Sequence, residues 1–371
     1  MIPFGIIFVL CLIAAGYQIT AIRACFGQLT RTDSWATWKP AVSILKPVRG
    51  ADEGFLEAIR THARIDYPEF EILFGLYDPA DPSRRAIEQL QREFPNVAIR
   101  IVDCPTVAPN AKVGTLQDLA AVARHSVLVV NDSDISVPHD YLYRLVTSLL
   151  TPGTGLVTCL YRASASTLPA LLEALGIATD FAPSALVAPF VGVREFGLGS
   201  TLALTSETLA RVGGFAALRD FIADDYQLGK RVAALGMNVD LSRMVVSTHL
   251  AGRWRDVWNH QVRWARTIRV SRSGYFGLPV TNATLWSLIA ALAGYTWLAG
   301  ALLVLRLATG WISGCLVLRD PLTRRFWWLM PVRDLLGFAV WIAGSVGKTV
   351  QWRGRRLRLD RNGIIRDLRQ S

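Results

Sequence analysis

The sequence predicts an α/β domain with a mostly parallel sheet, flanked by transmembrane helices. Three observations predict it. Between Pro40 and about Ser273, short apolar runs of strand length alternate with segments of helical spacing. Ahead of that stretch, Ile2–Phe26 is almost unbroken apolar sequence, about the length that crosses a bilayer. Beyond it, after Pro279, long apolar runs return.

The N-terminal run carries no charge until Arg23. A cleaved signal peptide is the rival reading, but no Lys or Arg precedes the apolar run and no A-x-A cleavage site is evident. A retained helix over residues 1–27 is favoured. Arg23, Arg31 and Lys39 follow it and nothing basic precedes it, so the positive-inside rule puts the N-terminus outside and the next segment in the cytoplasm.

The domain itself is expected over residues 40–275. Val42–Leu45 reads as a short buried strand and Phe55–Ala63 as a helix. Glu71–Leu76 is a second strand, Ser83–Phe94 a helix, and Val97–Val102 a third strand. Leu116–Arg124 is helical and Val127–Val130 is a fourth strand. This alternation implies parallel pairing, with ligands at the carboxyl ends of the strands. Tyr226–Leu235 reads as a helix opened by Asp224 and Asp225. Trp254–Val270 reads as another, with Trp254, Trp258, Val262 and Ala265 on one stripe. Six arginines (Arg253, Arg255, Arg263, Arg266, Arg269, Arg272) crowd that helix against Asp256 alone. A core helix with a solvated basic face has the same pattern, but the position just before an apolar segment favours a helix lying at a membrane surface.

A C-terminal membrane region is expected over residues 280–350. Leu285–Leu307 is long enough to span, and Phe326–Val346 is a second candidate interrupted by Arg333 and Asp334. Charges inside an apolar helix usually face protein or a polar cavity. Residues 351–371 form a basic tail with Arg353, Arg355, Arg356, Arg358, Arg361, Arg366 and Arg369.

Composition agrees. The 371 residues include 40 Lys and Arg against 29 Asp and Glu, a net charge of +11, with 51% hydrophobic and only 19% charged residues. Mean hydropathy is +0.31. Those figures exclude a disordered chain and leave a nucleic-acid binder or a membrane protein with cationic flanks. Neither interleaved basic and aromatic residues nor a nucleic-acid module is present, so no nucleic-acid partner is expected. The five cysteines are scattered and never spaced as C-x-x-C, which argues against a disulfide framework or a zinc site.

Four clusters carry chemistry. Gly75-Leu76-Tyr77-Asp78-Pro79 ends a strand. Asn131-Asp132-Ser133-Asp134 follows the buried run Val127–Val130. Two carboxylates at i and i+2 can reach one Mg²⁺ or Mn²⁺, which would bridge a diphosphate. A plain turn has the same composition, but the other clusters and the preceding strand favour the metal reading. Asp224-Asp225 sits where acids stabilise a helix start; one of them could equally serve as general base, with Asp224 nearer the capping role. His260-Gln261-Val262-Arg263-Trp264 lies on the basic helix. His249 ends a strand-like run, with a structural role the plain reading and a third metal ligand the alternative.

Together these residues resemble the lipid-directed nucleotide-sugar transferases of glycosyltransferase family 2. Within that group the sequence is most similar to the ceramide glucosyltransferases of family 21 and to the bacterial hopanoid N-acetylglucosaminyl transferases. The resemblance runs over nearly the whole chain and rests on Leu45-Lys46-Pro47-Val48-Arg49-Gly50, Asp66-Tyr67-Pro68, Tyr77-Asp78-Pro79-Ala80-Asp81-Pro82, Asn110-Ala111-Lys112, Asn131-Asp132-Ser133, Ala223-Asp224-Asp225-Tyr226 and Arg263-Trp264. It implies a GT-A fold in which Asp78 holds the uracil of a UDP-sugar and Lys112 touches the nucleotide or its phosphates. It further implies that Asp132, with Asp134, binds a divalent metal and the diphosphate. Asp225 becomes the base that activates the acceptor hydroxyl, and Arg263 and Trp264 lie beside the diphosphate and acceptor. Two departures stand out. The family motif is Gln or Arg, two residues, then Arg-Trp; here His260 takes the first place and Gln261 falls one step late. Many ceramide enzymes carry Gly where Asp134 stands.

The activity implied is inverting transfer of glucose or N-acetylglucosamine to a hydroxyl of a membrane lipid, ceramide or hopanoid. The implied setting is an integral protein of a bacterial inner membrane with the catalytic domain in the cytoplasm. A polysaccharide synthase is the near alternative, though it needs more spans. A non-catalytic membrane scaffold with a degenerate sugar-nucleotide domain is the distant one.

Overall fold

The computed structural model of the chain describes residues 4–32, 37–352 and 355–367. They belong to two compact units. An α/β unit gathers Thr32–Tyr161, Arg194–His249 and Gly363–Ser371, and a helical unit gathers Met1–Arg31, Arg162–Val193 and Leu250–Asn362. The division falls inside the stretch 40–275 that the sequence presents as one domain.

The α/β unit is built on strands β1 (Val42–Val48), β2 (Phe70–Leu76), β3 (Ala98–Asp103), β4 (Val127–Val130), β5 (Thr154–Ala165), β6 (Leu202–Thr205) and β7 (Asn238–Leu250). They form a seven-stranded sheet in the order β3-β2-β1-β4-β6-β5-β7. The first four in that order run parallel, with Leu45 beside both Leu73 and Val130. β6 runs antiparallel to β4 and to β5. The predicted mostly parallel α/β sheet is therefore present, with β6 inserted against the common direction.

Local sequence explains these elements. All four residues of β4 (Val-Leu-Val-Val) are buried, the continuous aliphatic run of a strand covered on both faces. Helices Phe55–Ala63 and Ser83–Glu93 follow their expected spacing. The next helix starts at Ala111 rather than Leu116, because Asn110 caps it: its side chain accepts from Val113 N at 3.3 Å. Leu45, Leu73, Leu116, Leu119, Leu128, Leu204, Phe215 and Leu228 pack into one core, and each such side chain contributes about 2 kcal/mol when removed from water. Asp78 follows β2 and Asp132 follows β4 at the carboxyl edge of the sheet, where open α/β sheets place their ligands.

The helical unit begins with Phe4–Thr30, 27 residues long, or about 40 Å at 1.5 Å per residue. Its Ile7, Cys11 and Ala14 pack against Ala283, Ala290, Leu298 and Leu302. Among the described residues, four helical stretches are long and apolar enough to cross a membrane: Gly5–Thr30, Leu168–Val191, Thr296–Val317 and Pro321–Ser345. A fifth would be the bent pair Gly274–Thr281 and Ala283–Leu292, whose axes differ by 52°.

Leu285–Leu307 is not one span: the helix Ala283–Leu292 stops, and Thr296–Trp311 begins anew. The break centres on Gly294 at φ 89°, with Tyr295 N donating to Ala290 O at 2.8 Å, a helix stop that only glycine adopts without cost. Leu168–Val191 is a long helical stretch that the sequence reading passed over. Pro169, Pro183 and Pro189, together with Glu173 and Asp180, disguise it. The chain absorbs them with a cap at Thr167, a π turn over Ile177–Phe181 and a 3₁₀ turn over Ala188–Val191.

The basic helix spans Trp254–Ser271. Its stripe divides in two: Val262 and Ala265 are buried against Tyr275 and Val340, whereas Trp254 and Trp258 are 53% and 38% exposed. Within the tail, β8 (Thr349–Trp352) and β9 (Arg355–Leu359) pair as an antiparallel hairpin. Arg353 and Arg369 lie outside the described residues.

Candidate active site

Three chain segments of the α/β unit converge on Gly199. A methyl group built there would stand 3.0 Å from Asp132 Oδ2, 3.4 Å from Asp225 Oδ2 and 3.4 Å from Lys112 Nζ. A side chain there would crowd the three charged groups, and the nearest, Asp132, would have to give by a few tenths of an ångström. Gly199 itself is chemically silent, so the sequence offered only a weak signal for it, the run Gly197-Leu198-Gly199-Ser200.

Asp132 arrives at the end of β4. The preceding Asn131 is fully buried, and its Nδ2 donates to Tyr141 Oη and Ser200 O, each at 2.7 Å, with Thr201 Oγ1 3.2 Å away. That anchoring leaves Asp132 facing outward, its carboxylate 2.7 Å from Lys112 Nζ. Lys112 comes from the first turn of the helix Ala111–Val122 and also stands 3.4 Å from Asp224 Oδ2. Burial disfavours its ammonium, but Asp132, Asp224 and Asp225 outweigh burial and raise its pKa.

Asp224 and Asp225 open the helix Asp224–Ala234. Asp224 is buried and accepts from Asn110 Nδ2 at 3.3 Å. Asp225 accepts two backbone N–H groups, from Gly199 to Oδ2 at 2.9 Å and from Tyr226 to Oδ1 at 2.7 Å. Burial and then the neighbouring Asp224 charge push the Asp225 carboxyl up to about 6, against the opposing pull of Lys112. An oriented carboxylate with a pKa near neutrality suits general-base work.

Asp134 turns away from this centre. Its Oδ2 accepts from Thr248 Oγ1, and burial followed by the Asp132 charge raises its pKa. Beneath the turn lies Lys46, fully buried, its Nζ 3.1 Å from Asp132 O and 3.3 Å from His62 Nε2. Burial brings the Lys46 ammonium down to about 7 despite the Asp134 and Asp132 charges. Lys46 belongs to the motif Leu45–Gly50 that carries the family resemblance, but the sequence assigns it no role, and the lone His62 carries no distinctive pattern.

As a cation site the residues offer hard oxygen donors, with no group of three or more His, Cys, Asp or Glu gathered among the described residues. Mg²⁺ and Mn²⁺ commonly use one or two carboxylates and take their other ligands from substrate phosphates and water. Asp132 fits that pattern: its side chain is 42% exposed. Asp134 is directed toward Thr248 rather than toward the Asp132 carboxylate. His249 Nε2 stands 3.7 Å from Glu53 Oε1.

The remaining predicted residues lie elsewhere. Asp78 is exposed at the end of β2, with Oδ1 accepting from Ala80 N at 2.9 Å; it is not among the groups nearest Gly199. His260, Gln261, Arg263 and Trp264 belong to the helical unit. There Nδ1–H of His260 donates to the buried Glu173 Oε1 at 2.6 Å. The His260 ring packs 5.1 Å from Trp264, which in turn lies 6.3 Å from Phe181. Gln261 is buried and lines an apolar cavity of about 290 Å³ with Trp254, Val257, Trp258 and Leu336.

The profile of glycosyl transferase family 21 matches residues 6–365. Ceramide glucosyltransferase 1 of Caenorhabditis elegans is 24% identical over 215 residues, covering 57% of this chain and 45% of that protein. The nematode's ceramide glucosyltransferase 3 is 25% identical over 247 residues, covering 64% and 52%. The chain thus spans about half the length of these curated relatives. Among solved structures, the mannosyltransferase PcManGT from Pyrobaculum calidifontis, in complex with GDP-Man and Mn²⁺, aligns over 91% of this chain and 98% of its own, with a TM-score of 0.56 at 20% identity. That likeness is one of fold.

Proposed function

The chain belongs to glycosyl transferase family 21, and on that premise we propose that it is a membrane-bound, inverting hexosyltransferase. It moves glucose or N-acetylglucosamine from a UDP-sugar to a hydroxyl of a membrane lipid, a ceramide or a hopanoid. The observation that carries this reading is the convergence of Asp132, Lys112 and Asp225 on the open face of Gly199. One arm of that cluster suits a diphosphate and the other suits an acceptor proton. The named ceramide glucosyltransferases among the relatives support the lipid acceptor, and the apolar helices support the membrane setting.

In this mechanism Asp225 takes the proton from a primary hydroxyl of the lipid as the oxygen attacks the anomeric carbon. A single displacement with one base inverts that centre. Gly199 N–H and Tyr226 N–H hold the Asp225 carboxylate in one orientation, so no reorganisation is needed at the moment of transfer. Lys112 stays paired with Asp224 and donates to the leaving diphosphate. Asp132, with Asp134, would hold Mg²⁺ or Mn²⁺, which neutralises charge developing on that diphosphate. The family motifs support Asp78 as the uracil contact and His260, Gln261, Arg263 and Trp264 as substrate-binding residues. The positive-inside pattern around Arg23 and Arg31 supports a cytoplasmic active site, and the similarity to hopanoid enzymes supports a bacterial inner membrane.

Membranes carrying the protein, incubated with labelled UDP-glucose or UDP-N-acetylglucosamine and with ceramide or bacteriohopanetetrol, should yield one glycolipid identifiable by mass. Asp132→Ala and Asp225→Asn should abolish it in folded protein. Full activity in both variants sinks the assignment.

A further inference from the structure

A lysine at the end of a central strand is out of place. Lys46 lies in β1, between β2 and β4, and is fully shielded from solvent. Taking an ammonium out of water costs several kcal/mol unless specific contacts offset it. Its two hydrogen bonds go not to carboxylates but to the backbone carbonyl of Asp132 and to His62 Nε2.

The partner defines the arrangement. His62 is also fully buried, with Nδ1 3.2 Å from Ala58 O. Nε2 lies 3.3 Å from Lys46 Nζ and 3.4 Å from Asn131 Oδ1; with the proton on Nδ1, toward the Ala58 carbonyl, Nε2 presents its lone pair to Lys46. Burial and the Lys46 charge keep His62 well below its usual range, hence neutral. The Asp132 carbonyl meanwhile also accepts from Ile135 N at 3.3 Å, so it closes the turn that displays Asp132 and Asp134. Asn131 pins one side of that turn through the two bonds its Nδ2 donates, to Tyr141 Oη and Ser200 O; Lys46 pins the other from below.

We propose that Lys46, backed by His62, is a positioning residue that locks the Asp132 peptide and so aims the Asp132 carboxylate at a cation-bound nucleoside diphosphate. It touches neither donor nor acceptor itself. This inference rests on the reading of Asp132 given above. Removing one buried charged partner alone commonly destabilises, so the thermal midpoint does not separate a structural Lys46 from a positioning one, whereas the Mn²⁺ dependence of binding does.

The test measures UDP binding to the full chain in detergent by calorimetry, with and without MnCl₂, alongside the thermal midpoint. Lys46→Met should fold, with a thermal midpoint at or below that of wild type. Its affinity for UDP in Mn²⁺ should fall at least about tenfold, as losses of groups that orient a ligand residue do, while its Mn²⁺-free affinity stays unchanged. Lys46→Gln, shorter but still an N–H donor, should recover part of the loss. If Lys46→Met keeps wild-type Mn²⁺-dependent affinity while Asp132→Ala loses it, positioning by Lys46 is overturned and the Asp132 reading survives. If wild-type protein binds UDP without regard to Mn²⁺, or Asp132→Ala binds like wild type, the Asp132 reading falls and takes this proposal with it. Failure to recover either Lys46 variant folded marks a folding residue and likewise overturns the positioning role.

Discussion

Asp225 sits at the point where residue chemistry meets pH. Burial and Asp224 raise its carboxyl to about 6, so the folded protein binds this proton more tightly than the unfolded chain does. The neutral form is thereby favoured in the fold, and the site costs stability as pH rises through the interval from about 4 to about 6. Activity has the opposite sign, because the base works only when ionised. The acceptor-dependent kcat/KM should therefore be flat above neutrality and fall about tenfold per pH unit below about pH 6. A profile flat down to pH 5, measured by glycolipid product, would remove Asp225 from the base role. The acids were legible from the sequence because strand ends and helix starts advertise them: Asp132 follows four aliphatic residues and Asp225 opens an evident helix. The roles of Gly199 and Lys46 were not, although Lys46 falls in a family motif, since a glycine's role is the space it leaves and the value of a buried lysine depends on partners 16 and 86 residues away.

At the scale of elements, the helix Ala111–Val122 shows how one cap serves both stability and site. Asn110 Oδ1 accepts from Val113 N at 3.3 Å, while Nδ2 donates to Phe221 O at 2.8 Å and to Asp224 Oδ1 at 3.3 Å. The same side chain thus starts the helix that presents Lys112 and tethers the one that presents Asp224 and Asp225. Removing it as Asn110→Ala should cost about 1–2 kcal/mol from the cap, with a further loss from the abandoned Phe221 carbonyl. The expected signature is a lowered thermal midpoint together with a raised KM for the donor, because Lys112 and Asp224 lose their common anchor. A lowered midpoint with unchanged donor KM would reduce Asn110 to a helix cap. Element existence was readable wherever periodicity was strong, as in β1 to β4 and their helices. It failed where local and tertiary signals conflict: Leu168–Val191 carries three prolines yet stays helical by changing its turn type, and Gly294 breaks a run that is apolar on both sides.

For the molecule as a whole, an excess of basic residues coexists with an apolar composition, and the helical unit contains an instance of how such charges are accommodated. Arg306 and Asp334 face one another at 2.7 Å, both side chains 5% exposed. The sequence marked Arg333 and Asp334 as an interruption in an apolar helix; the actual partner of Asp334 is 28 residues away on another helix. Thr284 Oγ1 donates to Asp334 as well, and Arg306 Nη2 reaches Thr179 Oγ1 at 3.5 Å. One ion pair therefore ties together the stretches around Thr179, Thr284, Arg306 and Asp334, three of which lie in or beside candidate spans. Breaking a buried pair strands the surviving charge and costs about 3–5 kcal/mol, whereas replacing both partners with apolar residues is often neutral. Arg306→Met alone should lower the thermal midpoint in detergent sharply, leaving Asp334 without a counter-charge. The double variant Arg306→Met with Asp334→Leu should recover most of that loss, because no buried charge then remains. If the double variant is no more stable than the single, the pair specifies the arrangement of these helices rather than merely cancelling two charges. In that case the acceptor KM of the double variant should rise while its donor KM holds, since Lys112, Asp132 and Asp225 all belong to the α/β unit.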